Sequence, residues 1–229
     1  MRQTRMANGL LFSGLLVLAG CSERTAPTAL RHESAVRLDA VATPNSVVSD
    51  PIGDVKNNAP AWLDLSSASV SKQGTRFLFA WDLAAPVPSD PAADPAIPAH
   101  SDHVCVGDGL DTDPTSAPLG YPFGKNEPNF AEFYVAVCWS PTGSFALGTG
   151  FVGLLIDRRP PLSGGQGIVP VEFSIQGAHV TMVVDDAALS HPATFAWAAF
   201  TEVANQADPN DAAKFPDFAP AAGFATWPQ

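Results

Sequence analysis

Carboxylates are the side chains best placed to do chemistry in this sequence. Asp and Glu number 23 against 12 Lys and Arg, a formal net charge of −11. Two stretches offer candidate clusters. The first holds Asp50 and Asp54, in Asp50-Pro51-Ile52-Gly53-Asp54, with Asp64 following. The second holds Asp108, Asp111 and Asp113, with Glu132 opening the next strand-like run. Calcium takes about six to eight oxygens, drawn from clustered carboxylates and turn carbonyls. Asp50, Asp54 and Asp64, or Asp108, Asp111, Asp113 and Glu132, are therefore candidate ligands of a calcium ion. Along an extended chain Asp111 and Asp113 share one side. The spacing is not that of an EF-hand: counting from Asp111, the glycine position holds Ser116 and the bidentate glutamate position holds Pro122. Turn-capping is the alternative use of each Asp.

Other chemistry is harder to find. No GxSxG elbow, HExxH motif or P-loop occurs, and no nucleophile can be paired with a histidine, so the reading is non-catalytic. A glycosidase dyad, whose carboxylates come from distant strands, stays open. Gly148-Thr149-Gly150-Phe151-Val152-Gly153 spells a dinucleotide fingerprint, but Arg159-Pro160-Pro161 excludes the helix that must follow. His179 and Met182 face opposite sides of a strand and cannot share a haem iron. Flat aromatic rings suit the apolar faces of sugars. Tyr121, in Gly120-Tyr121-Pro122-Phe123-Gly124, and Trp62 are the candidate ligand-binding aromatics, whereas Trp81 and Trp197 fall in alternating strands and read as core. An acidic chain with no basic cluster repels nucleic-acid phosphates.

The N-terminus addresses the compartment. Arg2 and Arg5 precede an uncharged run, Gly9 to Gly20, of about a dozen residues. That is shorter than the roughly 20 needed to span a bilayer and fits a signal h-region. The run ends in Leu18-Ala19-Gly20-Cys21, which resembles the lipobox of bacterial lipoproteins. The resemblance implies cleavage before Cys21, acylation of that cysteine and anchoring at the cell envelope. Ser22 at the next position implies the outer membrane, if the host is Gram-negative. More than one acyl chain gives a stable anchor, so the expectation is a chain tethered to the membrane and not spanning it. In an oxidising compartment the remaining cysteines, Cys105 and Cys138, are expected to pair. A bridge across about 33 residues would add on the order of 3–4 kcal/mol; two separate buried thiols are the alternative.

The elements that must position these residues are short strands. Residues 21–49 have no sustained period and read as a flexible tether after a signal peptide at 1–20. From Asp50 to Gln229 short apolar runs alternate with Pro, Gly, Asp and Asn. Phe77, Phe79, Trp81 and Leu83 alternate onto one face and, with Trp62–Val70 before them, predict a hairpin. Further strands are expected at His103–Gly107, Glu132–Trp139, Ser144–Thr149, Phe151–Ile156, Val169–Ile175, Ala178–Val184 and Thr194–Glu202, with a tight turn at Gln176-Gly177. Five prolines between Pro86 and Pro98 make that stretch a loop. Many short strands and little helical periodicity predict an all-β fold, a single antiparallel β-sandwich over 50–229.

Asp50-Pro51-Ile52-Gly53-Asp54 with the Trp62–Ser71 run, then Leu110-Asp111-Thr112-Asp113-Pro114 with Glu132–Val137, then Asp217-Phe218-Ala219-Pro220-Ala221-Ala222-Gly223, resembles the order of blocks in DOMON-like domains related to family 9 carbohydrate-binding modules. The resemblance runs over about residues 50–226 in scattered blocks. It implies a sandwich whose relatives bind sugars, haem or other small ligands and often calcium. The expected function is an envelope lipoprotein carrying a non-catalytic module for carbohydrate or another small ligand. The alternative is a structural or protein-interaction lipoprotein without one.

Overall fold

A computed structural model describes residues 46–56, 58–99, 101–113, 131–143, 148–159, 167–204, 216–221 and 223–229. The signal peptide, Cys21, Tyr121 and the expected strand's residues 144–147 lie outside the described residues.

In chain order the strands are β1 (Ser46–Ser49), β2 (Leu65–Gln73), β3 (Arg76–Leu83), β4 (His103–Asp111), β5 (Phe133–Ser140) and β6 (Gly150–Asp157). They continue as β7 (Gly167–Pro170), β8 (Glu172–Gln176), β9 (His179–Asp185), β10 (Phe195–Ala204), β11 (Asp217–Ala219) and β12 (Ala225–Trp227). One sheet runs β1-β2-β3-β9-β8, the other β11-β10-β4-β5-β6-β7, with β12 also pairing β10. Every pairing is antiparallel. The two sheets pack face to face as a β-sandwich.

Alternation decides which side chains meet between the sheets. Phe77, Phe79, Trp81 and Leu83 of β3 and Val180, Met182 and Val184 of β9 meet Val106 and Leu110 of β4, Val135 and Val137 of β5 and Trp197 of β10. Full burial of each large apolar side chain is worth about 1.5–3 kcal/mol. The hairpin β2–β3 forms where the alternation places it, and Gln176-Gly177 turns β8 into β9, with Gly177 at φ 65°. His179 is exposed while Met182 is fully buried, on opposite faces of β9. Gly148–Gly153 leads into β6, a strand and not a phosphate-binding helix.

Two differences from the sequence expectation shape the sheets, beside a β2 that starts at Leu65 and not Trp62. The sheet begins at Ser46, inside the stretch read as tether: Ser46 and Val48 point inward, and β1 pairs with β2 from Ser46↔Val70 to Ser49↔Ser67. Four residues of alternation are too few to stand out beside a Ser- and Thr-rich segment. The expected strand Val169–Ile175 is two strands, β7 in one sheet and β8 in the other, divided at Val171. There the Val171 N–H donates to Gly153 O at 2.9 Å. A Cβ at Gly153 would run into the Val171 carbonyl, so the corner needs that glycine.

Cys105 and Cys138 stand opposite each other on β4 and β5, with Cα atoms 4.1 Å apart and the sulfurs bonded. They lie on the outer face of the larger sheet, beside Ala136, Leu154, Ala198, Phe200 and Phe218.

Candidate metal centre

The first acidic stretch converges, and a fourth aspartate joins it from the other end of the chain. Leaving β1, the chain turns through Asp50–Asp54, with Gly53 at φ 95°, a conformation that favours glycine. The turn is held by two bonds. The Asp50 N–H donates to Ser66 O at 3.0 Å, and the Gly53 N–H donates to Asp64 Oδ2 at 2.7 Å. Asp64 stands immediately before β2, where its carbonyl accepts from the Ala84 N–H at 2.8 Å. Asp217 opens β11 in the other sheet. Its Oδ2 accepts the Leu65 N–H at 2.6 Å and its Oδ1 the Phe218 N–H at 2.8 Å. The Lys56 N–H, on Pro216 O at 2.8 Å, ties the loop to the same segment.

Carboxylate oxygens of Asp50, Asp54 and Asp217 lie within 4.8 Å of one another. Asp50 is 8% exposed and neither of its buried oxygens has a hydrogen-bond partner. Asp64 is 2% exposed and its Oδ1 is likewise without a donor. The cover over Asp50 is thin, since Pro51, Ile52, Gly53 and Asp54 above it are all exposed. Burial, then the charges of Asp217, Asp54 and Asp64, push the Asp50 carboxyl up to about 7. The Ala221 backbone pulls the other way without closing a hydrogen bond on either oxygen. Asp217 is pushed up to about 6, again by burial first, while the Leu65 and Phe218 N–H groups hold it down. A buried acceptor with no donor costs about 1–3 kcal/mol, more for a charged group, and here four carboxylates also repel one another. A hard divalent cation among them would relieve both costs. All-oxygen ligands drawn from carboxylates match calcium.

The second stretch does not converge. Asp108 points between the sheets, fully buried, with Oδ1 accepting the Trp81 indole N–H at 2.9 Å. Burial pushes it up to about 8. Asp111, three residues on, faces the opposite side of β4. Glu132 Oε2 accepts the Thr112 N–H at 2.7 Å. Nearby, Arg159 is bidentate on Asp157 and feels the Glu132 charge. Among the described residues Asp111, Asp113 and Glu132 form no ligand cluster. Of the candidate ligands, Asp50 and Asp54 come together, with Asp64 close enough for its charge to be felt, while Asp108, Asp111, Asp113 and Glu132 do not; Asp217, which the sequence reading left out of the candidates, joins Asp50 and Asp54. Asp217 was visible in the closing Asp217–Gly223 block, but no local spacing connects it to Asp50.

Trp62 is also corrected. It is 7% exposed on a 3₁₀ turn, packed with Leu63, Ile97, Val104 and Val203, and its indole N–H donates to Asp94 Oδ2 at 2.8 Å. An aromatic ring buries more area than any other side chain, and here that gain is taken inside. Neither a comparison with protein families nor one with characterised proteins returns a match for the sequence.

Proposed function

We propose that this chain is a non-catalytic binding module of an envelope lipoprotein, anchored through Cys21, whose fold is completed by calcium at Asp50, Asp54, Asp64 and Asp217. One observation carries the cation: Asp50 is more than nine-tenths buried, lies within 4.8 Å of carboxylate oxygens of Asp54 and Asp217, feels the charge of Asp64, and has no donor on either oxygen. The lipid anchor rests on the Leu18–Cys21 lipobox and the carbohydrate or small-molecule ligand on the resemblance to family 9 carbohydrate-binding modules.

A specific observation favours the protein-interaction alternative. All five tryptophans are buried. The recess between the sheets lined by Trp62, Leu83, Val106 and Val180 measures about 20 Å³, room for a water and not for a sugar.

Thermal unfolding of residues 22–229 with calcium and then with EDTA tests the cation. Calcium at 100 times its Kd should add about 2.7 kcal/mol, on the order of 5–10 °C at this size. Identical midpoints in calcium and EDTA would remove it from the fold. A glycan-array screen of the calcium-loaded protein separates the two binding readings: a saccharide hit supports the small-ligand version, and an empty array favours a protein partner.

A further inference from the structure

A second constellation lies on the outer face of the larger sheet. The register sets Glu202 of β10 beside Cys105 of β4, and Cys105 beside Cys138 of β5. His103 comes two residues before Cys105 and therefore shares its face of β4. Three adjacent strands thus bring one nitrogen, one carboxylate and two sulfurs to one spot. A ring nitrogen of His103, the Cys105 sulfur and a Glu202 oxygen all lie within 4.8 Å of one another, and the Cys138 sulfur is bonded to that of Cys105. The site is built into the sheet: the side chains of His103 and Glu202 are 8% and 15% exposed, with Nε2 to Oε1 at 3.8 Å.

We propose that reduction of the Cys105–Cys138 bond converts this face from a covalent crosslink into a tetrahedral zinc site of two thiolates, His103 and Glu202. In the oxidised state the sulfurs hold each other, and a thiolate is the form that ligates a metal. A dithiol reductant supplies two electrons and two protons. The S–S bond breaks, Cys105 and Cys138 become thiols, and the reductant leaves as its own disulfide. Zinc then displaces both thiol protons to solvent. Zinc is four-coordinate in structural sites and accepts sulfur, imidazole nitrogen and carboxylate oxygen, at about 2.3 Å to sulfur and 2.0–2.1 Å to nitrogen. Donors around one such ion stand roughly 3.3–3.8 Å apart, so the His103, Cys105 and Glu202 separations close with small side-chain movements, and Cys138, released from its bond to Cys105, turns in as the fourth ligand. The redox state of the surroundings selects between crosslink and metal. Soft sulfur ligands also set this site apart from the four aspartates, which suit a hard cation.

The test uses residues 22–229, reduced with a phosphine and titrated with cobalt(II) as a spectroscopic stand-in for zinc. The expected result is one equivalent of cobalt giving thiolate-to-cobalt charge-transfer and tetrahedral d–d bands, bleached by zinc and absent from the unreduced protein. Asp50→Asn should leave those bands intact. His103→Ala and Glu202→Ala should each weaken zinc binding by more than about 100-fold, beyond the range typical of losing an outer-shell partner. Absence of thiolate bands, or bands and affinity unchanged in either variant, overturns the proposal. Should reduction unfold the chain, far-UV circular dichroism decides. Zinc-driven refolding that needs His103 supports the site, and no recovery with zinc overturns it.

Discussion

The two acidic stretches have similar composition and opposite fates. Around Asp50 the chain brings three carboxylates together from the two ends of the described fold, within reach of the Asp64 charge, and leaves three oxygens, both of Asp50 and Oδ1 of Asp64, without donors. Around Asp111 it spreads the acids over both faces of β4 and gives them protein partners: the Trp81 indole for Asp108 and the Thr112 N–H for Glu132. Asp108 also keeps one oxygen without a donor, but it joins no carboxylate cluster. On the proposed reading, what would separate a cation site from a set of structural acids is not acid density. It is whether several carboxylates converge with oxygens that the protein's own donors leave unused. Three experiments break or sharpen that contrast.

The largest effect belongs to Asp108, the acid that the fold encloses alone. Its folded pKa, about 8, lies above the ordinary value of 3.8. Between those values the unfolded chain has released the proton and the folded chain has kept it, so stability falls as pH rises. The contribution is fully present below about pH 4 and gone above about pH 8. Asp108→Asn keeps an acceptor for Trp81 and cannot ionise. The stability difference between wild type and this variant should shift by on the order of 4 kcal/mol between pH 5 and pH 8, against the wild type as pH rises. Urea unfolding across that range checks it, and a flat difference would mean Asp108 is ionised in the fold and has a partner beyond Trp81.

Asp217 gives the next largest effect. Asp217→Ala strips the Leu65 and Phe218 N–H groups of their acceptor inside the protein. At about 1–3 kcal/mol per unsatisfied buried group, offset by relief of carboxylate repulsion, the loss in EDTA should be about 3 kcal/mol. The calcium response should vanish with it. Asp113→Ala, on an exposed residue, should stay within about 0.5 kcal/mol and keep the response. Equal losses in the two variants would erase the distinction between the stretches.

How much of this was legible follows the range of the interactions. The β2–β3 hairpin was readable because Phe77, Phe79, Trp81 and Leu83 alternate within one run and Gly74 turns the chain beside them. The pairing of Cys105 with Cys138 followed from two strand-like runs and an oxidising compartment. Asp50, Asp54 and Asp64 were legible as neighbours in sequence. Asp217 was not, because only the pairing of β11 with β10 and the hydrogen bond its carboxylate accepts from the Leu65 N–H carry it to them. Trp62 misled for a related reason: only the fold brings Asp94, 32 residues on, to its indole N–H and Ile97, Val104 and Val203 around its ring. The His103, Cys105, Cys138 and Glu202 face needed the order β10-β4-β5, which no single stretch encodes.

The smallest expected effect is the most direct test of the comparison. Asp111→Asn with Glu132→Gln removes two charges from the second stretch. The side-chain amide oxygen introduced by Glu132→Gln would still accept the Thr112 N–H, so the main loss is the attraction between Glu132 and Arg159, whose guanidinium remains on Asp157. Partly exposed ion pairs of this kind are worth about 1 kcal/mol or less. The double variant should therefore unfold within about 1 kcal/mol of wild type, with its calcium-dependent midpoint shift unchanged. If instead the shift disappears while Asp50→Asn retains it, the cation binds where donors are already present. Unpartnered oxygens would then not be what selects the site, and the assignment of Asp50, Asp54, Asp64 and Asp217 would fall with that reasoning.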